Sequence, residues 1–321
     1  MAQRRVIIDT DTAGDDSQAL VMAALSEQIE IEAVTVAAGN VDFADEVRNA
    51  KYSLQLADSA DVPVYEGARS PLLKDHDTAE YVHGEGGLGG DLDPEVEIPS
   101  ADGFAPDAIV DLAREHPGEL TLVCIAPLTN VALALQREPA LGDLLDSVWV
   151  MGGNVNCLGN VMPAAEFNFW VDPDAAKLVV RELDVTLVDW GLVVRDSTFG
   201  PETLDRIADA ADESRFADFF TSIAASVRAF NREQFGEDVT TQPDSVVSAL
   251  LVDPSLVERE GTHHIDVDER EGLTRGYTLV DELGVTDGDS NTRVVEAIDE
   301  AGFRQLFLDT VVHGEPERSL D

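Results

Sequence analysis

Four aspartates follow the first apolar run of the chain, and their spacing suggests a cation site. Residues 6–8 are Val-Ile-Ile, and Asp9, Asp11, Asp15 and Asp16 come directly afterwards, within eight residues. Carboxylates this close raise one another's pKa, and a hard cation such as Ca²⁺ or Mg²⁺ relieves the repulsion by taking oxygen ligands. Helix capping is the competing interpretation, because Asp15 and Asp16 open a helical pattern. It leaves Asp9 and Asp11, at the end of a strand, unexplained.

Polar residues and glycines also follow other apolar runs. Gly39-Asn40 follows the second run, residues 126–130 (APLTN) follow the fourth, and residues 151–154 (MGGN) follow the fifth. Ligands of open α/β sheets bind outside the carboxyl ends of the strands. We therefore expect these groups to converge with the aspartates on one rim of a sheet.

The elements that must position them alternate regularly between two patterns. Short β-branched runs predict buried strands at 4–9, 29–39, 62–67, 119–127, 147–153 and 184–190. Amphipathic stretches predict helices at 15–25, 43–57, 106–116, 128–139 and 173–183. This alternation predicts an α/β fold: a Rossmann-like, doubly wound, mostly parallel sheet flanked by helices.

The C-terminal part departs from this alternation. Residues 202–252 read as helices, whereas 262–269, 276–282 and 304–312 read as additional strands, some of them antiparallel. We expect one domain over 1–321. The irregular stretch 69–105, rich in Gly, Asp and Pro, is a candidate lid or active-site loop.

The charge of the chain is extreme. There are 64 acidic and 21 basic residues, a net charge of −43, which opposes binding to nucleic acid or to anionic membranes. We interpret this as a halophilic adaptation to a salty cytoplasm, because salt screens such repulsion. Cys124 and Cys157 form no disulfide framework, and no run of 18 apolar residues predicts a membrane span.

The first motif also resembles the D-x-D-x-T loop of haloacid-dehalogenase-like phosphatases. Asp9 would then attack phosphorus and Asp11 would be the acid/base. That family uses a later lysine, and Lys51, Lys74 and Lys177 are the only lysines of this chain. None stands in a suitable loop, so a phosphatase is the weakest alternative.

The fuller pattern resembles the nucleoside hydrolase family of the inosine-uridine-preferring type. The blocks that carry the resemblance are 9–16 (DTDTAGDD), 36–40 (VAAGN), 83–89 (HGEGGLG), 126–130 (APLTN), 151–153 (MGG), 159–160 (GN), 165–168 (AEFN), 172–173 (DP) and 243–244 (PD). Their order and number along most of the chain make the match specific.

The resemblance implies a role for individual residues. It implies a Ca²⁺ site formed by Asp11, Asp16, Asp244 and the main-chain oxygen of Ile125. The substrate-binding residues that it implies are Asp15 and Asn168 at the ribose 2′-hydroxyl, Asn160 and Glu166 at the 5′ side, Asn40 and Met151 along the sugar, and His83.

The implied activity is Ca²⁺-dependent hydrolysis of the N-glycosidic bond of ribonucleosides, giving free base and ribose for purine and pyrimidine salvage. Carboxylates suit this reaction, because the ribose gains oxocarbenium character at the transition state. Asp11, beside a water held at the cation, would be the general base. The resemblance also implies a homodimer or homotetramer.

Two departures from the family pattern keep alternatives open. Thr12-Ala13-Gly14 replaces the usual Pro-Gly pair, and Pro243 stands where some members have a histidine that is a proposed acid for the leaving base. The preferred base therefore stays open. The alternatives are a hydrolase of another N-riboside, such as nicotinamide riboside, and an inactive homologue that binds metal or ribose.

Overall fold

A computed structural model of the chain describes residues 3–89, 92 and 94–316. Its strands are β1 (Arg4–Thr10), β2 (Ile29–Val36), β3 (Val64–Glu66), β4 (Leu120–Cys124), β5 (Ser147–Met151), β6 (Val185–Val188), β7 (Thr198–Phe199), β8 (Thr240–Thr241), β9 (Val257–Val267), β10 (Thr278–Asp281) and β11 (Thr292–Ile298). The predicted strands at 4–9 through 184–190 are thus confirmed as β1 to β6.

Helices connect these strands and cover the sheet. They are α1 (Gly14–Leu25), α2 (Phe43–Leu56), α3 (Glu80–His83), α4 (Ala105–Glu115), α5 (Thr129–Arg137), α6 (Leu141–Leu144), α7 (Phe167–Val171), α8 (Pro173–Glu182), α9 (Trp190–Asp196), α10 (Pro201–Asp209), α11 (Arg215–Phe235), α12 (Pro243–Val252) and α13 (Glu300–Leu308). Short 3₁₀ turns lie at Glu85–Gly87 and Pro254–Leu256, and a π-helical turn lies at Asp309–His313.

Nine of these strands form one sheet in the order β10-β9-β11-β6-β5-β4-β1-β2-β3. The strands β1 to β6 and β11 pair in parallel, whereas β9 is antiparallel to both β10 and β11. The doubly wound, mostly parallel α/β fold with extra C-terminal strands is therefore confirmed. The winding reverses between β1 and β4, and the crevice at such a reversal is where ligands of this architecture bind.

A separate hydrophobic core fills each face of the sheet. On one face Leu20, Val247 and Phe307 pack together, and on the other Ile109, Leu135 and Val179 do the same; all of them are at most 5 % exposed. Because both faces are covered, the parallel strands read as continuous apolar runs. This burial makes the ends of β1 and β4 rigid supports for polar side chains.

The C-terminal prediction was partly wrong. Residues 304–312, expected as a strand, belong to α13 and the π-helical turn, and the additional strand is β11 instead. The buried side chains Phe303, Phe307 and Val311 recur every four residues, which is helical spacing. Asp299 also caps α13 by accepting a hydrogen bond from the Gly302 amide at 2.9 Å.

The stretch 69–105 is irregular except for α3, the 3₁₀ turn and the start of α4. It is tied to the body of the protein where the Leu72 amide donates to Asp172 Oδ2 at 2.8 Å. Residues 90, 91 and 93 of this stretch lie outside the described residues. The lid at 69–105 and the single domain over 1–321 stay predictions. Among the described helices, none has both the length and the apolar character to cross a membrane.

Candidate active site

The turn between β1 and α1 holds Asp16 beside Gly14 and Asp15, which line a cleft. Thr10 Oγ1 donates to Asp16 Oδ1 at 2.7 Å, and the amide of Ala13 donates to Asp16 Oδ2 at 3.1 Å. The side chain thereby caps the first turn of α1, as the capping interpretation required. Asp16 is only 1 % exposed, so the same carboxylate is also locked in position at the carboxyl end of the sheet.

Three carboxylates meet above this turn. Asp15, Asp16 and Asp244 each offer an oxygen, and these oxygens lie within 4.8 Å of one another. Asp244 reaches the group because α12 begins at Pro243 directly beside the cleft. Of the four ligands that the sequence predicted, the structure places Asp16 and Asp244 in this group. Asp15, which was assigned to the ribose, is its third member.

Asp11 lies beside the group, at the end of β1. It is fully buried, and neither of its carboxylate oxygens has a hydrogen-bond partner within the described chain; the same holds for Oδ1 of Asp15. Unpartnered buried carboxylate oxygens are costly unless a cation or proton compensates them. A donor set made only of such oxygens fits a hard divalent cation.

Burial and mutual repulsion strongly perturb these groups. Burial, together with the smaller effect of the neighbouring Asp15 charge, raises the pKa of Asp16 from 3.8 to about 7. The pKa of Asp11 lies well above its usual range because of burial first and the charges of Asp16 and Glu46 next. Burial and the charge of Asp16 do the same to the pKa of Asp244. A site of this kind favours protons or a cation over bare negative charge.

Asp9 is set apart from the cleft. Its Oδ1 accepts hydrogen bonds from Thr35 Oγ1 at 2.6 Å and from Asn130 Nδ2 at 2.8 Å. Burial raises its pKa to about 7, and the side chain is fully buried. Asp9, like Asp11 and Asp16, is not among the residues that line the cavity. The hydrogen bonds of its Oδ1 tie it to β2 and to the first turn of α5. The geometry therefore assigns Asp9 to the support of the strand ends.

The segment before and within α7 carries three of the predicted sugar-binding residues. Glu166 caps α7 by accepting from the Asn168 amide at 2.9 Å, and it also accepts from the Gly153 amide at 2.8 Å. Burial raises the pKa of Glu166 to about 7. Asn168 Nδ2 donates to the carbonyl oxygens of Met151 at 3.3 Å and Ile125 at 3.4 Å. The predicted carbonyl ligand thus lies next to a predicted sugar contact.

The remaining predicted residues also reach this region. Asn40 Nδ2 donates to the main-chain oxygen of Asp11 and to Asp16 Oδ2, both at 3.2 Å. His83 Nδ1 lies 3.7 Å from Asp15 Oδ1 and has no hydrogen-bond partner among the residues described. Asn160 lines the cavity, and its Oδ1 accepts from the Phe167 amide at 2.9 Å.

A cavity of about 300 Å³ opens above the carboxylates. Its outer part is aromatic, since Tyr81, Trp190, Phe230 and Phe235 line it. Tyr81 and Phe235 pack on either side of Phe230, with ring centroids 5.7 and 6.0 Å away. Flat apolar walls of this kind suit a planar heterocycle. Polar carboxylates below and aromatic walls above match the two halves of a nucleoside.

Two amides in the outer part were missed by the sequence reasoning. Gln242 Nε2 donates to Thr240 Oγ1 at 2.8 Å, and Asn231 Nδ2 donates to the carbonyl oxygen of Val239 at 2.9 Å. Both side chains line the cavity. Gln242 could have been noticed because it directly precedes the 243–244 block, whereas no sequence signal marks Asn231 on the amphipathic α11.

Comparison with known proteins gives the same picture. The sequence profile of the family described as inosine-uridine preferring nucleoside hydrolase matches residues 6–305. A pyrimidine-specific ribonucleoside hydrolase, RihA of Enterobacter sp. (strain 638), is 34 % identical over 315 residues, covering 95 % of this chain and 96 % of its own length. An uncharacterized protein of Schizosaccharomyces pombe is 31 % identical over 308 residues, covering 95 % and 98 %.

Solved structures agree with the fold over the whole chain. A plant nucleoside hydrolase superimposes with a TM-score of 0.90 at 28 % identity, covering 97 % of this chain and 99 % of its own. The purine-preferring ribonucleoside hydrolase from Gardnerella vaginalis superimposes with a TM-score of 0.87 at 27 % identity, covering 96 % and 98 %.

Proposed function

We propose, from the premise that this chain belongs to the inosine-uridine preferring nucleoside hydrolase family and is a ribonucleoside hydrolase, that it works with a bound Ca²⁺ and with Asp11 as general base. The observation that carries the proposal is the group of Asp15, Asp16 and Asp244 next to the buried carboxylate of Asp11, whose two oxygens have no hydrogen-bond partner in the described chain. These oxygens can be stable and ionised together only around a positive charge. Ribose and cation would both bind there.

The cation would be held by carboxylates and one carbonyl. Asp16, Asp244 and the main-chain oxygen of Ile125 are the proposed ligands, together with Asp11. Carboxylate and carbonyl oxygens are the ligands that Ca²⁺ prefers. When bound, Ca²⁺ would orient neighbouring sugar hydroxyls and a water and would make that water more acidic.

The chain's own residues perform the remaining chemistry. Asp11, whose buried carboxylate oxygens have no hydrogen-bond partner in the described chain, takes a proton from the attacking water. The water oxygen bonds to the anomeric carbon while the N-glycosidic bond breaks. The electron pair of the broken bond leaves with the base, which takes up one proton from solvent, and Asp11 returns its proton to solvent after the reaction. Asp15 and Glu166 lie where negative charge stabilises the developing oxocarbenium ion.

The sugar contacts follow from the donors and acceptors that line the cavity. We place Asp15 and Asn168 at the 2′-hydroxyl, and Asn160 and Glu166 at the 5′ side. Asn40, Met151 and His83 contact the substrate nearby. In this arrangement the ribose lies on the carboxylates and the base lies between the aromatic walls.

The base preference requires direct measurement. The relative from Enterobacter is named pyrimidine-specific, and the relative from Gardnerella is named purine-preferring. Both match nearly the whole chain. Inosine, adenosine, uridine and cytidine should therefore be tested side by side, with nicotinamide riboside as a fifth substrate.

The decisive experiment is release of reducing sugar in molar KCl, with Ca²⁺ and then with a chelator. We expect ribose from at least one nucleoside, loss of activity with the chelator, and recovery on addition of Ca²⁺. Asp11→Asn should abolish turnover while nucleoside binding persists. Ribose release that is unaffected by the chelator would contradict the cation, and full activity of Asp11→Asn would contradict the base.

Three further properties belong to the proposal. The net charge of −43 supports adaptation to high salt, because ions screen repulsion among surface carboxylates. We also propose a cytoplasmic enzyme that assembles as a homodimer or homotetramer. Light scattering across a KCl series would test the assembly and its dependence on salt.

A further inference from the structure

One buried carboxylate has no assigned role among the proposed ligands and sugar contacts, although its charge raises the pKa of Asp11. Glu46 lies near the start of α2 and is 0 % exposed. Its Oε1 accepts from the Gly39 amide at 2.9 Å and from the Val41 amide at 3.1 Å. Its Oε2 has no partner in the described part of the chain. A single oxygen therefore binds the amides on both sides of Asn40.

The turn held in this way contacts the proposed catalytic groups directly. Asn40 Nδ2 donates to the main-chain oxygen of Asp11 and to Asp16 Oδ2. Gly39 packs so closely on Asp11 that a Cβ there would lie 1.9 Å from Oδ2. A displacement of the turn by a fraction of an ångström would consequently move Asn40 and the carboxylate of Asp11.

The carbonyl groups of the turn have other partners. Gly39 O lies 2.9 Å from His76 Nε2, and Asn40 O accepts from the Ala79 amide at 2.6 Å. The two amides, in contrast, are bound by Glu46. Removing this side chain would leave two buried donors without an acceptor, and the turn would shift to find new partners.

We propose that Glu46 is a positioning residue, which holds the turn from Gly39 to Val41 so that Asp11 and Asn40 lie in the reactive arrangement. This inference rests on the proposed function for its kinetic consequence. It also predicts a change in cation affinity that can be measured without turnover, because Asn40 also holds Asp16 in place. The side chain does not line the cavity, and its hydrogen bonds act through the backbone of the turn.

Three variants separate the hydrogen bonds from charge and volume. Glu46→Gln keeps an acceptor of the same reach, Glu46→Ala removes it, and Glu46→Asp shortens it by one methylene. Asp45→Ala is the matched control. It removes a carboxylate from the adjacent position of α2 that pairs with Arg48 at 3.0 Å, away from the turn.

The kinetic measurement is kcat and KM for the best of the five substrates at saturating Ca²⁺. We expect Glu46→Ala to lower kcat by about 10- to 100-fold with KM within about threefold, since small misplacements of reacting groups cost this much. Glu46→Asp should be intermediate. Glu46→Gln and Asp45→Ala should stay within about threefold of the parent protein. If Glu46 only stabilised the fold, Glu46→Ala would contain a smaller fraction of active enzyme, and Glu46→Gln would not restore turnover.

The second measurement is Ca²⁺ affinity by titration calorimetry, which requires no turnover. We expect the dissociation constant of Glu46→Ala to rise by about 10-fold, as for loss of a group that orients metal ligands, with the glutamine variant unchanged. If the three proteins differ in Ca²⁺ affinity as expected but the parent protein releases no ribose, the proposed function fails and the positioning role stands. Equal kcat and affinity in the parent and Glu46→Ala would overturn the positioning role. Equal impairment of Glu46→Gln and Glu46→Ala would overturn it too. If Glu46→Ala does not fold, Glu46→Asp decides on the same criteria.

Discussion

Acidification should weaken Ca²⁺ binding at the proposed ligands Asp16 and Asp244 much more than it would at an exposed site. Burial and the neighbouring carboxylates raise the pKa of Asp16 to about 7 and that of Asp244 well above its usual range. Ca²⁺ requires ionised ligands, so protons compete with it over the range in which these groups titrate. An exposed aspartate, with a pKa of about 3.9, would be ionised throughout.

The size of the effect follows from Asp16. With a pKa of about 7, its carboxylate is mostly ionised at pH 8, and only about 3 % is ionised at pH 5.5. This residue alone should lower the apparent affinity by about 30-fold between these two pH values, equivalent to roughly 2 kcal/mol. Asp244 acts in the same direction, so we expect a change of at least about 30-fold.

The stability of the cation-free protein should depend on pH with the corresponding sign. In the unfolded chain Asp16 ionises near pH 4, whereas in the folded protein it ionises near pH 7. A carboxyl whose pKa is raised by folding supports the folded state fully below pH 4. That support is lost as pH rises to 7, by roughly 4 kcal/mol for three pKa units. Ca²⁺ should therefore raise the melting temperature strongly at pH 8 and little at pH 5.

Titration calorimetry of the chelator-treated protein, at constant KCl and at pH 5.5, 6.5 and 8, measures this directly. Thermal unfolding with and without Ca²⁺ at pH 5, 6.5 and 8 measures the linked stability. Asp244→Asn should flatten both profiles. An affinity that changes by less than about threefold over this range would refute the reasoning, as would a Ca²⁺-induced stabilisation that is equal at pH 5 and pH 8.

Three further predictions follow. Gly39→Ala should lower kcat by more than about 100-fold, because its Cβ would meet Asp11 Oδ2; Gly200→Ala, which meets nothing within 4 Å, should retain parental kinetics. Asp172→Ala should lower the free energy of unfolding in urea by about 3 kcal/mol or more, because it leaves the amides of Leu72 and Ala175 and the hydroxyl of Thr129 without an acceptor. Asp172→Asn should lower it by less, and equal losses in the two variants would contradict this account. Raising KCl from 0.1 to 2 M should increase the melting temperature, since the net charge is −43; a melting temperature independent of KCl would refute screening.

The sequence predicted the sheet well because buried parallel strands leave a strong local signal. The strands β1, β4 and β6 contain short apolar runs, and burial on both faces explains that pattern. The strand β11 was missed because Arg293 and Glu296 interrupt its apolar residues, and its place beside β6 depends on distant pairing. The helix α13 was mistaken for a strand because its short apolar run fits both periods.

The residues of the site also differ in how well the sequence predicted them. Residues directly after a strand could be anticipated, because the fold brings strand ends to one rim. Glu46 could not, since a glutamate in an amphipathic helix ordinarily faces solvent. Its burial depends on how the turn before α2 folds back, with Oε1 meeting the Gly39 amide seven residues upstream. Contacts of that kind are set by backbone geometry and leave no periodic pattern in the sequence.

The electrostatic cost of ionising the three carboxylates supports the proposed cation. Two charges 4.8 Å apart repel by about 3.5 kcal/mol at an effective dielectric constant of 20, so three ionised carboxylates cost about 10 kcal/mol. That is comparable to the whole stability of a typical domain, about 5–15 kcal/mol. The helix termini at Asp15, Asp16 and Asp244 return only about 0.3–1 kcal/mol each. Helix dipoles therefore cannot hold this site ionised, and a bound divalent cation can. The same imbalance makes the pH dependence of stability a direct test of the metal site.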